Sequence, residues 1–298
     1  VSVNNLCLDF SGRVVLDHAS LKVEAGEIIC IWGPSGEGKS TFLRVLGGLE
    51  RPSQGMVRFF GQSCDMKRPS PLDEARSEVG FLFQNSALIS NMNVRTNIML
   101  PLRFRRDRLR AERSQEHRSW QLTRRLSNFA DAMLESDLIA KTERAMNNML
   151  VHDYSNHFPH ELSMGVQKRV ALARSLALDP KILLMDEPTS GLDFLSRLSL
   201  LALISNMSQL RRVTVVVVTH DLLLPKELGA KVSIFLKGRL TEPCHFDELS
   251  NLRIPFVDEL LHELENTSRE ESDELIPLNS EQIAEKLRDQ TLFDPLRR

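Results

Sequence analysis

Apolar residues fall along the chain in two rhythms. Val3, Leu6, Leu8 and Phe10, ahead of a Ser11-Gly12 turn, predict a first strand, and Leu21 and Val23, closed by Ala25-Gly26, predict a second. Short, nearly continuous apolar runs then recur at 27–32, 56–60, 79–84, 181–187, 213–219 and 232–236. Runs of this kind read as strands buried on both faces, as in a parallel sheet. Between them the spacing becomes helical. Phe42, Leu43, Val45, Leu46 and Leu49 share a helical face, and helices are predicted over 166–178, closed by Asp179-Pro180, and over 195–210. Lys237-Gly238-Arg239 closes a final hairpin. Strands alternating with helices predict an α/β fold whose mainly parallel sheet is covered on both faces.

From 85 to about 160 the sheet rhythm stops and the pattern is helical, interrupted by Pro101. This stretch carries Arg103, Arg105, Arg106, Arg108 and Arg110, and continues through Arg113, Arg118, Arg124 and Arg125. It reads either as a solvated helical face balanced by Asp107, Glu112 and Glu116, or as a contact for anionic lipid headgroups or an acidic partner. Trp120, Leu126, Phe129 and Met133 follow as an apolar stripe, read as core.

Composition narrows the class. A chain of 298 residues with 42% hydrophobic content can bury one large core, or a core and a subdomain. The net charge of −2 gives no argument for nucleic acid, and the basic stretch nearly lacks the aromatic platforms that stack on bases. Cys7, Cys30, Cys64 and Cys244 form no C-x-x-C pair, which predicts a reducing compartment. No apolar run approaches the roughly 20 residues that span a bilayer, and no signal-peptide pattern opens the sequence. A soluble, intracellular protein is expected.

The chemistry centres on Gly33-Pro34-Ser35-Gly36-Glu37-Gly38-Lys39-Ser40, followed by Thr41, a full match to G-x-x-x-x-G-K-[ST]. A polyphosphate needs several backbone N–H groups converging on it, hence a tight loop with little side-chain bulk. Lys39 supplies a charge to the β- and γ-phosphates, and the Ser40 hydroxyl can ligate Mg²⁺. The apolar run before the loop and the helical pattern after it are the required context. A nucleoside triphosphate ligand is predicted. Phe10, ahead of the loop, reads equally as core or as an aromatic that stacks on the adenine.

A second motif is Asp186-Glu187, which follows four apolar residues. Asp186 would hold Mg²⁺ through water, and Glu187 would polarise the attacking water. Pro188-Thr189-Ser190-Gly191-Leu192-Asp193 comes immediately after, and a strand ending at His220 lies beyond. With Gln84 and Glu161-Leu162-Ser163-Met164-Gly165-Val166, these motifs stand in the order of an ATP-binding cassette (ABC) ATPase, which the chain resembles over about residues 1–245.

The resemblance implies an ABC-type core with an antiparallel N-terminal β subdomain. A helical subdomain would be inserted at about 85–167, the ATPase domain would span 1–250, and a helical C-terminal extension would cover 251–298. It implies ATP and Mg²⁺ as cofactors, with the nucleotide sandwiched between two copies of the chain. Residues 33–41 resemble the family's phosphate cradle, and Gln84 the glutamine that touches Mg²⁺. Ser163 and Gly165 resemble the signature that closes on the partner's γ-phosphate. Glu187 matches the catalytic glutamate, Asp193 the inter-subunit loop and His220 the switch histidine.

Two positions depart from the family. Leu162-Ser163-Met164-Gly165-Val166 stands where Leu-Ser-Gly-Gly-Gln is usual, and Met164 adds bulk beside a phosphate; it is expected to pack outward. Glu37 places a carboxylate in an anion cradle, where it must point to solvent or pair with a cation.

The run from Phe81 to Val94, then Asn97 and Pro101-Leu102-Arg103, resembles the ATPase subunits of Mce-type phospholipid transporters, with residues 104 to about 140 inserted relative to them. This implies integral-membrane permease partners, Mce-domain and small regulatory subunits, and a peripheral place on the cytoplasmic side of the inner membrane. Alternatives are the ATPase module of another ABC machine, for lipoprotein export or cell-division and cell-wall regulation, and a slow regulatory subunit. Near the C-terminus, Phe256, Leu260, Leu261 and Leu264 share a helical face, read either as a packed terminal helix with a flexible tail or as a dimer clasp.

Overall fold

The computed structural model describes residues 1–10, 12–60, 62–64, 78–116, 123–211, 213–255, 257–259 and 261–262; side chains at 10, 62–64, 109–116, 123–134 and 209–211 are not among those described. It divides into two compact units, Val1–Pro243 and Cys244–Arg298.

In the first unit, β3 (Ile28–Trp32), β6 (Val79–Leu82), β7 (Ile182–Asp186), β8 (Thr214–Thr219), β9 (Lys231–Leu236) and β10 (Arg239–Leu240) form one sheet in the order β10-β9-β3-β8-β7-β6. All its pairings are parallel except that of the closing hairpin, β9 with β10. The unbroken apolar runs have a direct structural cause. Alternate residues of each strand feed two different cores: Cys30, Leu183, Met185, Val215 and Val217 enter one, while Ile29, Ile31, Leu184, Val216 and Val218 enter the other. A strand with no polar face must be covered on both sides.

The first core lies among the helices α2 (Val94–Glu116), α3 (Thr123–Asn148), α4 (Met164–Leu176) and α5 (Phe194–Arg211), through Ile98, Met146, Leu172 and Ile204. The second packs α1 (Lys39–Leu46), through Phe42 and Leu46, against an antiparallel sheet. That sheet has the order β2-β1-β4-β5, from β1 (Ser2–Phe10), β2 (Arg13–Lys22), β4 (Gln54–Phe59) and β5 (Gln62–Cys64). The first unit also contains the one-turn helix α6 (Leu224–Leu228). The second unit has a short 3-10 segment, Phe246–Leu252, at whose start Glu248 accepts the His245 N–H at 2.9 Å.

Two sequence expectations are corrected. The second strand begins at Arg13, well before Leu21, because β1 and β2 pair along their whole length with register shifts between Val3 and Asp9. Those irregularities, with His18 at φ 55°, erase the period-two pattern. Pro101 does not interrupt the helical pattern but sits inside α2. Proline removes one backbone donor there, and burial of Ile98, Met99 and Leu102 around it offsets the cost. The fully buried Asn97 fastens the preceding loop: its Oδ1 accepts the Ile89 N–H, and its Nδ2 donates to the carbonyls of Ile89, Met92 and Asn93.

In the basic stretch Arg106 pairs with Asp107 and, across the helix pair, with Glu135, while Arg103, Phe104 and Arg105 are exposed. The Trp120, Leu126, Phe129 and Met133 stripe lies outside the described side chains, and Phe256, Leu260 and Leu264 lie outside the described residues.

Candidate nucleotide site

Strands β3, β7 and β8 run in register, Trp32 opposite Thr219 and Asp186 opposite Val218, so their C-terminal ends finish at one edge of the sheet. The predicted chemistry gathers there, as expected for ligands of parallel α/β sheets.

The loop between β3 and α1 is held from behind. A Cβ on Gly33 would lie 2.2 Å from the Phe235 carbonyl oxygen, so β9 leaves room only for glycine. Gly38 starts α1 at φ 111°, a conformation open to glycine and costly to other residues. The first turn of α1 holds no acidic residue, leaving its positive end to an anion. Pro34 is half-buried, Ser35 and Gly36 are exposed at the mouth, and Ser40 and Thr41 lie deeper. The Lys39 ammonium is folded into its own loop, donating to the carbonyls of Gly33 at 2.6 Å and Pro34 at 2.7 Å. Burial holds its pKa below the usual lysine range, against the opposing pull of Glu187, Asp186 and Glu37.

Next to the loop, the Ser40 hydroxyl donates to Asp186 Oδ1 at 2.8 Å. A hydroxyl and a carboxylate oxygen side by side are hard donors suited to Mg²⁺, which takes few protein ligands and keeps several waters. Gln84, the third predicted metal contact, follows β6 with its side chain exposed. No cluster of three or more acidic, histidine or cysteine side chains stands ready for a metal among the described residues.

Glu187 is buried, and its backbone sits at φ 48°, a left-handed conformation rare for a residue with a side chain. Its N–H is bound to the Val218 carbonyl at 2.9 Å. Its Oε1 lies 2.8 Å from His220 Nδ1, and Thr219 Oγ1 stands at 3.5 Å from Oε2. His220 is half-exposed, so the buried Glu187 carboxylate is paired with an imidazole that opens to solvent. Trp32 Nε1 donates to the His220 carbonyl at 2.9 Å and fixes the residue's backbone.

The predicted signature forms a second corner. Ser163 caps α4, its hydroxyl accepting the Val166 N–H at 3.4 Å. Met164 is 54% exposed, and its Cε would lie 2.7 Å from a Cβ built on Gly191. Its side chain thus turns outward along the 191–193 turn. A Cβ on Gly165 would meet Ser196 Oγ at 2.5 Å, so the first turn of α5 packs closely on the signature. Asp193 accepts the Ser196 N–H at 2.9 Å and the Ser196 hydroxyl at 2.6 Å, which keep its carboxyl below the usual range.

Glu37 has a partner of a kind neither alternative foresaw. Its Oε2 accepts the backbone N–H of Lys237 at 2.8 Å, in the β9–β10 turn. Beside it is a cavity of about 290 Å³, lined by Arg13, Val14, Val15, Glu37, Thr41 and Lys237 among others. The Phe10 side chain is not among those described, so its stacking role is untouched by the geometry. The sequence patterns missed Lys168 and Arg174. Both read as ordinary basic positions of α4, yet both lie against the loop after β6, and Lys168 is almost fully buried.

A profile of the ABC transporter family matches residues 16–190. The chain is 33% identical to the methionine import ATP-binding protein MetN of Campylobacter jejuni subsp. jejuni over 252 residues, 84% of this chain and 71% of that protein. It is 33% identical to the sulfate/thiosulfate import ATP-binding protein CysA of Rhodopseudomonas palustris over 242 residues, 81% of this chain but only 62% of that protein. Among solved structures, it resembles the dimeric post-hydrolysis state of an ATP-binding cassette bound to ADP and Pi. The TM-score is 0.66 at 27% identity, over 82% of this chain and 98% of the other. The chain cbiO1 of Clostridium perfringens, part of the ABC transporter complex cbiONQ, is similar in fold with a TM-score of 0.66 at 24% identity, over 88% of this chain and 98% of that one.

Proposed function

The chain belongs to the ABC transporter family, as one of its ATP-hydrolysing subunits, and we propose that it is the motor of a membrane transporter, using ATP with Mg²⁺ at the edge formed by 33–41, 186–187 and 220. The observation that carries the assignment is the Glu187–His220 pair, 2.8 Å apart, beside the Ser40–Asp186 contact of 2.8 Å. The cradle's backbone N–H groups and Lys39 hold the phosphates. Glu187, buried and ionisable, orients the attacking water and takes up its proton. His220 keeps that carboxylate in place and is exposed enough to reach the γ-phosphate. Ser40 and Asp186, with Gln84 as a further candidate, would hold Mg²⁺, which when bound would supply charge neutralisation at the phosphates. Phosphoryl transfer of this type rests on positioning and charge neutralisation rather than on covalent intermediates.

Ser163 and Gly165, next to the exposed Met164 and beside Asp193, are the surface on which a second copy closes over the nucleotide. The motor then docks on separate permease subunits at the cytoplasmic side of a membrane, a reading supported by its membership of the ABC transporter family. The cargo has two readings, each with its own support. Relatives named for methionine and sulfate/thiosulfate import favour a small polar nutrient. The Phe81 to Arg103 run, similar to Mce-type ATPases, favours phospholipid, with Mce-domain and regulatory subunits as further partners.

Replacing Glu187 with Gln keeps size and hydrogen bonding but removes the base. ATP hydrolysis by the full chain should fall by about 10² or more, the usual contribution of a positioned base, while ATP binding persists. Near-normal turnover would remove Glu187 from this role. Membrane subunits that copurify, reconstituted in vesicles and offered labelled methionine, sulfate or phospholipid, decide the cargo.

A further inference from the structure

Helix α4 holds the segment after β6 through three side chains. Ser175 Oγ donates to the Phe81 carbonyl at 2.7 Å; Arg174 donates to the carbonyls of Ser86 at 2.8 Å and Ala87 at 2.7 Å; and the Lys168 ammonium donates to the Gln84 carbonyl. Ser86 and Ala87 both have positive φ, 57° and 47°, so this segment is a sharp, irregular turn fastened from one side. Lys168 also reaches a second loop. From the same nitrogen it donates to the Glu187 carbonyl at 3.2 Å, an oxygen shared with the Ser190 N–H at 3.3 Å. One buried ammonium therefore joins the loop at Gln84 to the backbone of the residue placed as the base.

We propose that Lys168 is a positioning residue for ATP hydrolysis: its ammonium ties the Gln84 carbonyl to the Glu187 carbonyl and so sets the angle at which the Glu187 carboxylate meets the attacking water. The inference rests on the reading of this edge as an ATP-hydrolysing site. Its physical basis is the strained backbone of Glu187. A residue at φ 48° persists only when its surroundings over-determine it. The Glu187 N–H is fixed by Val218 and its side chain by His220, and Lys168 fixes the carbonyl end. The lysine is 1% exposed, so its hydrogen bonds form away from competing water. Burial lowers its pKa while Asp186 and Glu187 favour its charged form.

The same nitrogen couples two parts of the fold. Gln84 begins the segment that leads into α2 and α3, whereas Glu187 directly follows strand β7. A shift of the Gln84 loop would thus be felt at the base through the Lys168 side chain.

The test is a double-mutant cycle on the full chain, reading ATP affinity by equilibrium dialysis and hydrolysis by single-turnover kinetics. Lys168→Met removes both donated hydrogen bonds at similar volume. It should slow hydrolysis by about tenfold to a hundredfold, the scale of one or two charge-assisted hydrogen bonds, and leave ATP affinity within about threefold. Lys168→Arg, which retains charge and several donors, should recover most of the rate. In the Glu187→Gln background Lys168→Met should cost less than about twofold, because a residue that acts through the base has nothing left to position.

Equal losses in both backgrounds, or hydrolysis by Lys168→Met within about twofold of the parent chain, would overturn the proposal. If Lys168→Met does not fold, Lys168→Gln carries the same cycle. If neither folds, the lysine is a structural core residue and the proposal fails. A parent chain that binds no ATP, or one indifferent to Glu187→Gln, refutes the site itself. An intact Glu187 effect with an additive cycle refutes only the part given to Lys168.

Discussion

The loop at 33–41 and the corner at 162–166 are assigned to opposite halves of a nucleotide sandwich, the loop from one copy and the corner from its partner, yet they are built on opposite principles. In the first, the charged side chains and Ser40 have partners within the chain: Lys39 on two carbonyls, Ser40 on Asp186 and Glu37 on the Lys237 N–H, with Glu187 beside them on His220. In the second, apolar side chains remain in water. Met164 is 54%, Phe194 71% and Leu195 54% exposed around a turn that is itself tightly packed. A cradle satisfied internally exists before its ligand arrives. A rigid corner that leaves apolar surface exposed is the kind completed by another surface. The contrast teaches which half of the site the chain can build alone.

The largest expected effect breaks the self-contained half. Lys39→Ala removes the cation nearest the phosphates, and ATP affinity should fall by about a hundredfold, the equivalent of 2–3 kcal/mol for lost charge-assisted hydrogen bonds. Equilibrium dialysis measures it, and unchanged affinity would place the nucleotide elsewhere. Gly33→Ala attacks the same half through the backbone. Its Cβ meets the Phe235 carbonyl oxygen at 2.2 Å, so thermal unfolding should show a loss of about 1–3 kcal/mol, typical of overpacking. A melting temperature equal to the parent's would mean that β9 moves freely away from the loop.

At the open corner, effects should be smaller. Met164→Gly ought to change turnover by less than about tenfold, or 1.4 kcal/mol in barrier, because the side chain already points outward along Gly191. A much larger rise in steady-state hydrolysis would show that the methionine holds the corner open, and would favour a slow regulatory subunit.

The smallest effect sharpens the comparison through pH. Asp193 is held below its ordinary carboxyl range by Ser196, so its pKa is lower folded than unfolded. It stabilises the fold above the unfolded value of about 4 and loses that stabilisation as pH falls through the folded one. Melting curves between pH 5 and pH 2, on the acid side of that range, should show the parent losing slightly more stability than Asp193→Asn. Identical acid profiles would separate the carboxylate from the packing of this turn.

Much of this was legible in residues alone. The 33–41 loop is a local object whose glycines, lysine and serine serve one turn, and the Asp186-Glu187 and His220 positions follow from strands whose apolar runs announce themselves. The Arg13 start of β2 was hidden because register shifts and a left-handed His18 interrupt alternation. Pro101 misled because propensity speaks for isolated helices, and packing around Ile98 and Leu102 outweighs it.

The sequence by itself therefore determined the α/β class and the family, because each depends on short runs of neighbours. Tertiary structure alone decided that Glu37 turns to the Lys237 N–H and that Met164 lies along Gly191. It also decided that Lys168 joins Gln84 to Glu187 across gaps of 84 and 19 residues. A lysine reads in sequence as a solvated charge; only the packing of α4 against β6 and β7 shows that its ammonium is buried between two carbonyls.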